Sequence, residues 1–188
     1  MTRPRLIAFA LALACMAAPP AVAQTNDSQP ADALLHAVRN VCGPNVAGRL
    51  PFDIMNADLN GPRVVLADAS GDPATLAAFH DMEADRMAFG FVVSDTGRIN
   101  IGVDETLAWC RVAALDVTPS DVEAMKAGLQ TLDDWAETGQ VSPGVTQYLA
   151  TLAGDVVFVR IADPAVASGY GPSAGLIVTV MNPAAQEE

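Results

Sequence analysis

A chain of 188 residues with 22 acidic and 10 basic side chains has a formal charge of −12, so phosphate backbones and anionic lipid surfaces repel it. No cluster of Lys and Arg offsets that repulsion, which argues against nucleic-acid binding. Hydrophobic residues make up 51% of the chain, enough to build one domain around a real core at this length.

The opening residues, "MTRPRLIAFALALACMAAPPAVAQ", have the three parts of a secretory signal peptide. Arg3 and Arg5 form a basic n-region, Leu6 to Ala18 an apolar h-region, and Ala21-Val22-Ala23 a small-residue cleavage site. Residues 1–23 are therefore expected to be removed, leaving a mature chain that begins near Gln24. The h-region is shorter than the about 20 residues of a permanent span. No later segment approaches that length, so no integral membrane segment is expected after cleavage. Lipidation at Cys15 is disfavoured because Ala12 stands where a leucine is expected. Cleavage removes Cys15 with the signal and leaves Cys42 and Cys110, too far apart for a C-x-x-C redox motif. Two thiols in an oxidising compartment read as one structural disulfide, and the expected location is periplasmic or secreted.

Residues 24–30, "QTNDSQP", are polar and aperiodic and read as a flexible leader. In the helix that follows, Leu34, Leu35, Val38, Val41 and Cys42 share one apolar face, and Gly43-Pro44 stops the pattern. His36 falls off this stripe and is expected in solvent. Residues 43–62 read as loop before "RVVL", with a short strand at most. "GDPATLAAFHDMEADRM" reads as a second helix, with Asp72 as N-cap and Pro73 in its first turn.

The period then changes to two. Met87, Phe89, Phe91 and Val93 alternate with smaller residues, "SDTGR" turns the chain, and Ile99, Ile101 and Val103 alternate again, which predicts a hairpin. "TLAWCRVAAL" is a third strand, with Cys110, Val112 and Ala114 inward and Leu107, Trp109, Arg111 and Ala113 outward. A third helix opens at "TPSD", where Thr118 caps, Pro119 takes the first turn and Asp121 completes a capping box. Its buried stripe is Val122, Met125, Leu129 and Leu132, and "ETGQVSPG" ends it. "VTQYLATL" fits helix or strand, and its flanking glycines favour a hairpin with "VVFVRI". "LIVTVM" is the last strand, and residues 183–188 are a frayed tail.

This order predicts an α+β fold: one domain over residues 31–182, with helices packed on one face of a mostly antiparallel sheet of about five to six strands. A signal peptide, a first helix carrying one cysteine, the strand "CRVAAL" followed by "VTPSDVEAMKAGL", and a terminal strand pair resemble in layout small uncharacterised secreted bacterial proteins with a two-cysteine α+β domain. The resemblance implies a compartment and a fold, and brings no activity with it.

Gly171-Pro172-Ser173-Ala174-Gly175 fits the G-x-S-x-G pattern of a hydrolase elbow. That elbow needs a strand before the serine, a helix after it and a later histidine. Ser173 instead follows a glycine-rich loop and precedes a strand, and no histidine lies beyond His80. "NADLNG" echoes the start of a calcium loop, but the twelfth residue from Asn56 is Ala67, where a bidentate glutamate is required. Asp53 and Asp58 remain as candidates for an irregular metal site. In "HDMEADR", His80 and Glu83 share a helix face with Asp81 and Asp85 nearby, a general acid/base or metal-binding arrangement; with two imidazoles in the whole chain, a zinc site there would need carboxylates to complete its shell. Leu107 and Trp109 on the outward strand face are candidate partner-binding residues.

No cofactor fingerprint is present and no cofactor is expected. The function expected is a non-catalytic, disulfide-stapled domain that binds a protein partner or small molecule in the cell envelope. An envelope hydrolase or metal-dependent enzyme centred on His80 is the alternative, and a structural or stress-related envelope protein is a third.

Overall fold

The computed structural model describes residues 29–48, 64–66, 87–93, 99–104, 109–169 and 173–186. The fold is α+β. One antiparallel sheet of eight strands runs in the order β1-β2-β3-β4-β8-β7-β6-β5. These are β1 (Val64–Leu66), β2 (Met87–Val93), β3 (Ile99–Asp104), β4 (Trp109–Leu115), β5 (Asp133–Ser142), β6 (Val145–Leu152), β7 (Asp155–Ala162) and β8 (Ala174–Met181). Two of these, β1 and β5, add to the six strands that the sequence pattern marks most clearly. The hairpin of β2 and β3 pairs as its alternation predicts, with Phe91 opposite Ile101 and Gly90 opposite Gly102. The ambiguous "VTQYLATL" is β6, paired along its whole length with β7 from Val145↔Ala162 to Leu152↔Asp155.

The core lies on one face of this sheet. Alternation puts Ile99, Ile101 and Val103 of β3, Cys110, Val112 and Ala114 of β4, Leu176, Val178 and Val180 of β8, and Val157, Val159 and Ile161 of β7 on that face, all buried. Over them lie α1 (Gln29–His36), a π-helical turn (Ala37–Cys42), α2 (Gly43–Val46) and α3 (Pro119–Leu129). Helix α1 begins at Gln29, and Pro183–Gln186 ends the described chain as a 3₁₀ turn. The opposite face carries a smaller cluster, Ala113, Ala162, Ala174 and Ile177, closed by Ala167 of the short α4 (Pro164–Ala167).

Three details depart from the sequence expectations. The first helix does not stop at Gly43-Pro44. A Cβ on Gly43 would stand 2.9 Å from Leu152 Cβ, so the glycine is there for close packing on β6, while Pro44 sits in the opening turn of α2, where a missing N–H is tolerated. His36 is buried, not solvated, at 8% exposure, because α1 packs on α3 as well as on β3 and β4 and so buries more than one stripe. The third helix ends at Leu129, and residues 133–142, expected to close that helix and turn, form the edge strand β5.

The π-helical turn places the disulfide. Gly43 donates its backbone N–H to Val38 O, five residues back, and the wider turn buries Val38, Val41 and Cys42 together. Cys42 is bonded to Cys110 on β4, with Cα atoms 5.2 Å apart and a sequence separation of 68. The bond fastens the helical layer to the centre of the sheet.

Candidate functional site

Most of the sequence-level candidates fall outside the described residues: His80, Asp81, Glu83 and Asp85, the metal candidates Asp53 and Asp58, and Leu107. Trp109 is described. It lies on the face opposite Cys110, half-buried, with the Arg111 guanidinium carbon 5.0 Å from its ring centroid. Arg111 in turn donates from Nε to Thr179 Oγ1 at 3.0 Å. Ser173 is exposed in the turn that enters β8, and its carbonyl accepts from Asp116 N–H at 2.8 Å. It has no helix behind it, as an elbow serine requires. Among the described residues there is no group of three His, Cys, Asp or Glu placed to hold a metal ion, and no helix is long and apolar enough to cross a membrane.

A cleft lies where α3 passes over the β5–β6–β7 end of the sheet. Its lining is Lys126, Gln130, Trp135, Thr146, Tyr148, Ile161 and Asp163, around a cavity of about 70 Å³, room for several water molecules. Each wall has a local cause. Helix α3 is started by a complete capping box: Thr118 Oγ1 accepts from Asp121 N–H at 3.2 Å, and Asp121 Oδ2 accepts from Thr118 N–H at 2.8 Å. Its buried Val122, Met125 and Leu129 face the core, which leaves Lys126 and Gln130 at the side and end nearest the cleft. The helix C-terminus is held by Arg39 of the π-helical turn, whose Nη2 donates to Thr131 O at 2.8 Å and Thr131 Oγ1 at 3.1 Å. A cation there also complements the helix dipole.

The aromatic wall comes from the β5–β6 hairpin. Trp135 and Tyr148 stack with ring centroids 4.4 Å apart and an interplanar angle of 19°, an offset-stack separation worth about 0.5–1.5 kcal/mol beyond area burial. Strand β5 has an extra residue between the Asp133↔Thr151 and Ala136↔Leu149 pairs, and such a bulge re-aims a side chain. Asp134, at φ 55°, is fixed beside it by accepting from Thr151 Oγ1 at 2.7 Å.

Charge in the cleft is paired internally. Lys126 Nζ lies 3.2 Å from Asp163 Oδ1 and 3.8 Å from Glu123 Oε1. Asp163, at the N-cap of α4, makes no side-chain cap bond and its carboxylate reaches across to α3 instead. Burial pushes the Tyr148 phenol above its ordinary value and the Glu137 carboxylate adds to the shift, so the hydroxyl stays neutral and both donates and accepts.

Sequence reasoning missed this site. Lys126 stood out as the single lysine and Trp135 as one of two tryptophans, but only the β5–β6 hairpin folds Trp135 onto Tyr148, and no spacing in the sequence announces it. No protein-family model, curated protein or solved structure matches this chain.

Proposed function

We propose that this chain is an exported, disulfide-stapled domain, periplasmic or secreted, that binds a small ligand or partner side chain without chemistry of its own, and that the cleft of Lys126, Gln130, Trp135, Tyr148 and Asp163 is where it binds. One observation carries the reading: a concave site joins a stacked aromatic pair to a few convergent polar groups, the composition by which ligand sites hold and orient what they bind. The Cys42–Cys110 bond and the signal-like opening residues support export. The polar groups of the cleft include no imidazole or thiol and no activated nucleophile, so binding accounts for them without a reaction.

The test is ligand-induced thermal stabilisation, since a ligand that binds only the native state raises the melting temperature. A defined panel of amino acids, sugars, organic acids and polyamines is screened against the chain, against Gln130→Ala and Trp135→Phe, and against His80→Ala. Stabilisation that is lost in the two cleft variants and kept in His80→Ala is the expected result. Stabilisation kept in both cleft variants and lost in His80→Ala would move the site to the "HDMEADR" segment and overturn the proposal.

A further inference from the structure

We infer that the cleft takes one edge of a neutral carbohydrate ring, laid against the Trp135–Tyr148 stack with its hydroxyls among Lys126, Gln130, Thr146 and Asp163. This rests on the reading of the cleft as the binding site and specifies its ligand class.

Charge makes the first selection. An arriving anion finds Lys126 already held by Asp163 at 3.2 Å and Glu123 at 3.8 Å, in a chain whose formal charge is −12. It would meet two carboxylates before one available ammonium. An arriving cation is drawn by the same net charge but must displace Lys126 from those carboxylates and sit beside its like charge. A neutral ligand meets neither penalty.

The donor and acceptor inventory makes the second. Lys126 donates only and Asp163 accepts only, while the Gln130 amide and the hydroxyls of Thr146 and Tyr148 do both. Adjacent ligand hydroxyls, each a donor and an acceptor at once, can satisfy that mixture. A purely apolar ligand would leave unpaired whichever of these groups it covers, at a cost of about 1–3 kcal/mol for each one buried. Trp135 and Tyr148 cover one face of each other and are both half-buried; the flat apolar surface they can offer is an outer ring face, suited to the C–H face of a pyranose. A cavity of about 70 Å³ admits a ring edge and leaves the remainder of the ring outside, where further sugar units of a chain can continue.

The experiment uses the oxidised protein carrying Trp109→Phe, in which Trp135 is the sole indole and its fluorescence reports the cleft. The common neutral hexoses and N-acetylhexosamines are titrated beside glucuronate and glucosamine, which keep the ring and add a negative or positive charge. A saturable change is expected with at least one neutral sugar, with its charged counterparts at least about tenfold weaker. Gln130→Ala and Lys126→Met, both at the helix surface, should weaken it with unchanged circular dichroism. If a charged counterpart binds as tightly as the neutral ring, or if no neutral sugar responds, the ligand class is overturned; stabilisation by another class through Gln130 and Trp135 would still keep the cleft as the site. Neutral-sugar binding unchanged by both helix variants would overturn the inference by placing the sugar elsewhere.

Discussion

Opening the Cys42–Cys110 bond should cost this protein about 4 kcal/mol. The figure follows from the 68-residue separation of the two cysteines: in the chain-entropy description, a closed loop of that size removes about 15 cal/mol/K from the unfolded ensemble, or about 4 kcal/mol at 25 °C. Native domains hold about 5–15 kcal/mol in all, so the crosslink is a large share of the total. At about 2–4 °C per kcal/mol for a domain of this size, the melting temperature should fall by about 8–16 °C. The measurement is urea unfolding of the oxidised protein beside the Cys42→Ala/Cys110→Ala double variant, followed by tryptophan fluorescence. The midpoint should drop. The slope of free energy against urea should rise, because the unlinked chain exposes more surface when it unfolds. Thiol titration of the mature chain, without Cys15, in denaturant supplies the independent check, with no reactive thiol expected before reductant is added. Two thiols appearing on unfolding without reductant, or coincident urea curves for the two proteins, would refute the reasoning.

Acid should destabilise the fold through His36. Burial lowers its pKa, and Asn40 Nδ2 donates to its Nδ1 at 2.9 Å, a bond that protonation of Nδ1 abolishes. The folded-state value is depressed, so the unfolded chain takes up the proton first. The stability associated with a neutral His36 is full above the unfolded value of about 6.5 and is lost as pH falls below it toward the folded value. Urea midpoints measured across that window should slope less in His36→Gln than in the parent, and parallel slopes would refute the assignment. Thr118→Ala should lose the capping box of α3 and about 1 kcal/mol by urea unfolding. Gly144→Ala should cost more than about 1 kcal/mol in the same assay, because Gly144 has φ 73° and a Cβ there would stand 2.5 Å from Val166 Cγ2.

What the sequence revealed depended on whether large apolar residues alternate with small or polar ones. In β3, Ile99, Ile101 and Val103 alternate with Asn100 and Gly102, and in β4 Cys110 and Val112 flank Arg111, so the period of two could be read directly although both faces are largely covered, and the inward position of Cys110 with it. Helix α3 was legible because its first turn is encoded locally by Thr118, Pro119 and Asp121. Strand β5 was not. It is an edge strand, exposed at nearly every position, and three register shifts break its alternation. Charged residues and bulges of this kind keep an edge from pairing with other chains, and they erase the pattern by which a strand is recognised. The π-helical turn was hidden because a stripe drawn at 3.6 residues per turn assumes a single helical pitch. The cleft needed the order of the strands in space, which alternation alone does not determine.

The place of β8 has a consequence for how this molecule can fail. It is the last of the eight described strands, yet it lies between β4 and β7, pairing with β4 from Trp109↔Met181 to Leu115↔Ala174 and with β7 from Phe158↔Met181 to Ala162↔Ile177. Without residues 174–181 there are two half-sheets, β1–β4 and β5–β7, each with an open inner edge shaped for the same missing strand. The β8 of a second copy would fit that gap as well as the chain's own, so a slow or destabilised last step opens a route to strand-swapped dimers. The sheet thus guards its outer β5 edge with bulges and acidic residues, while its inner edges depend on the prompt arrival of one strand.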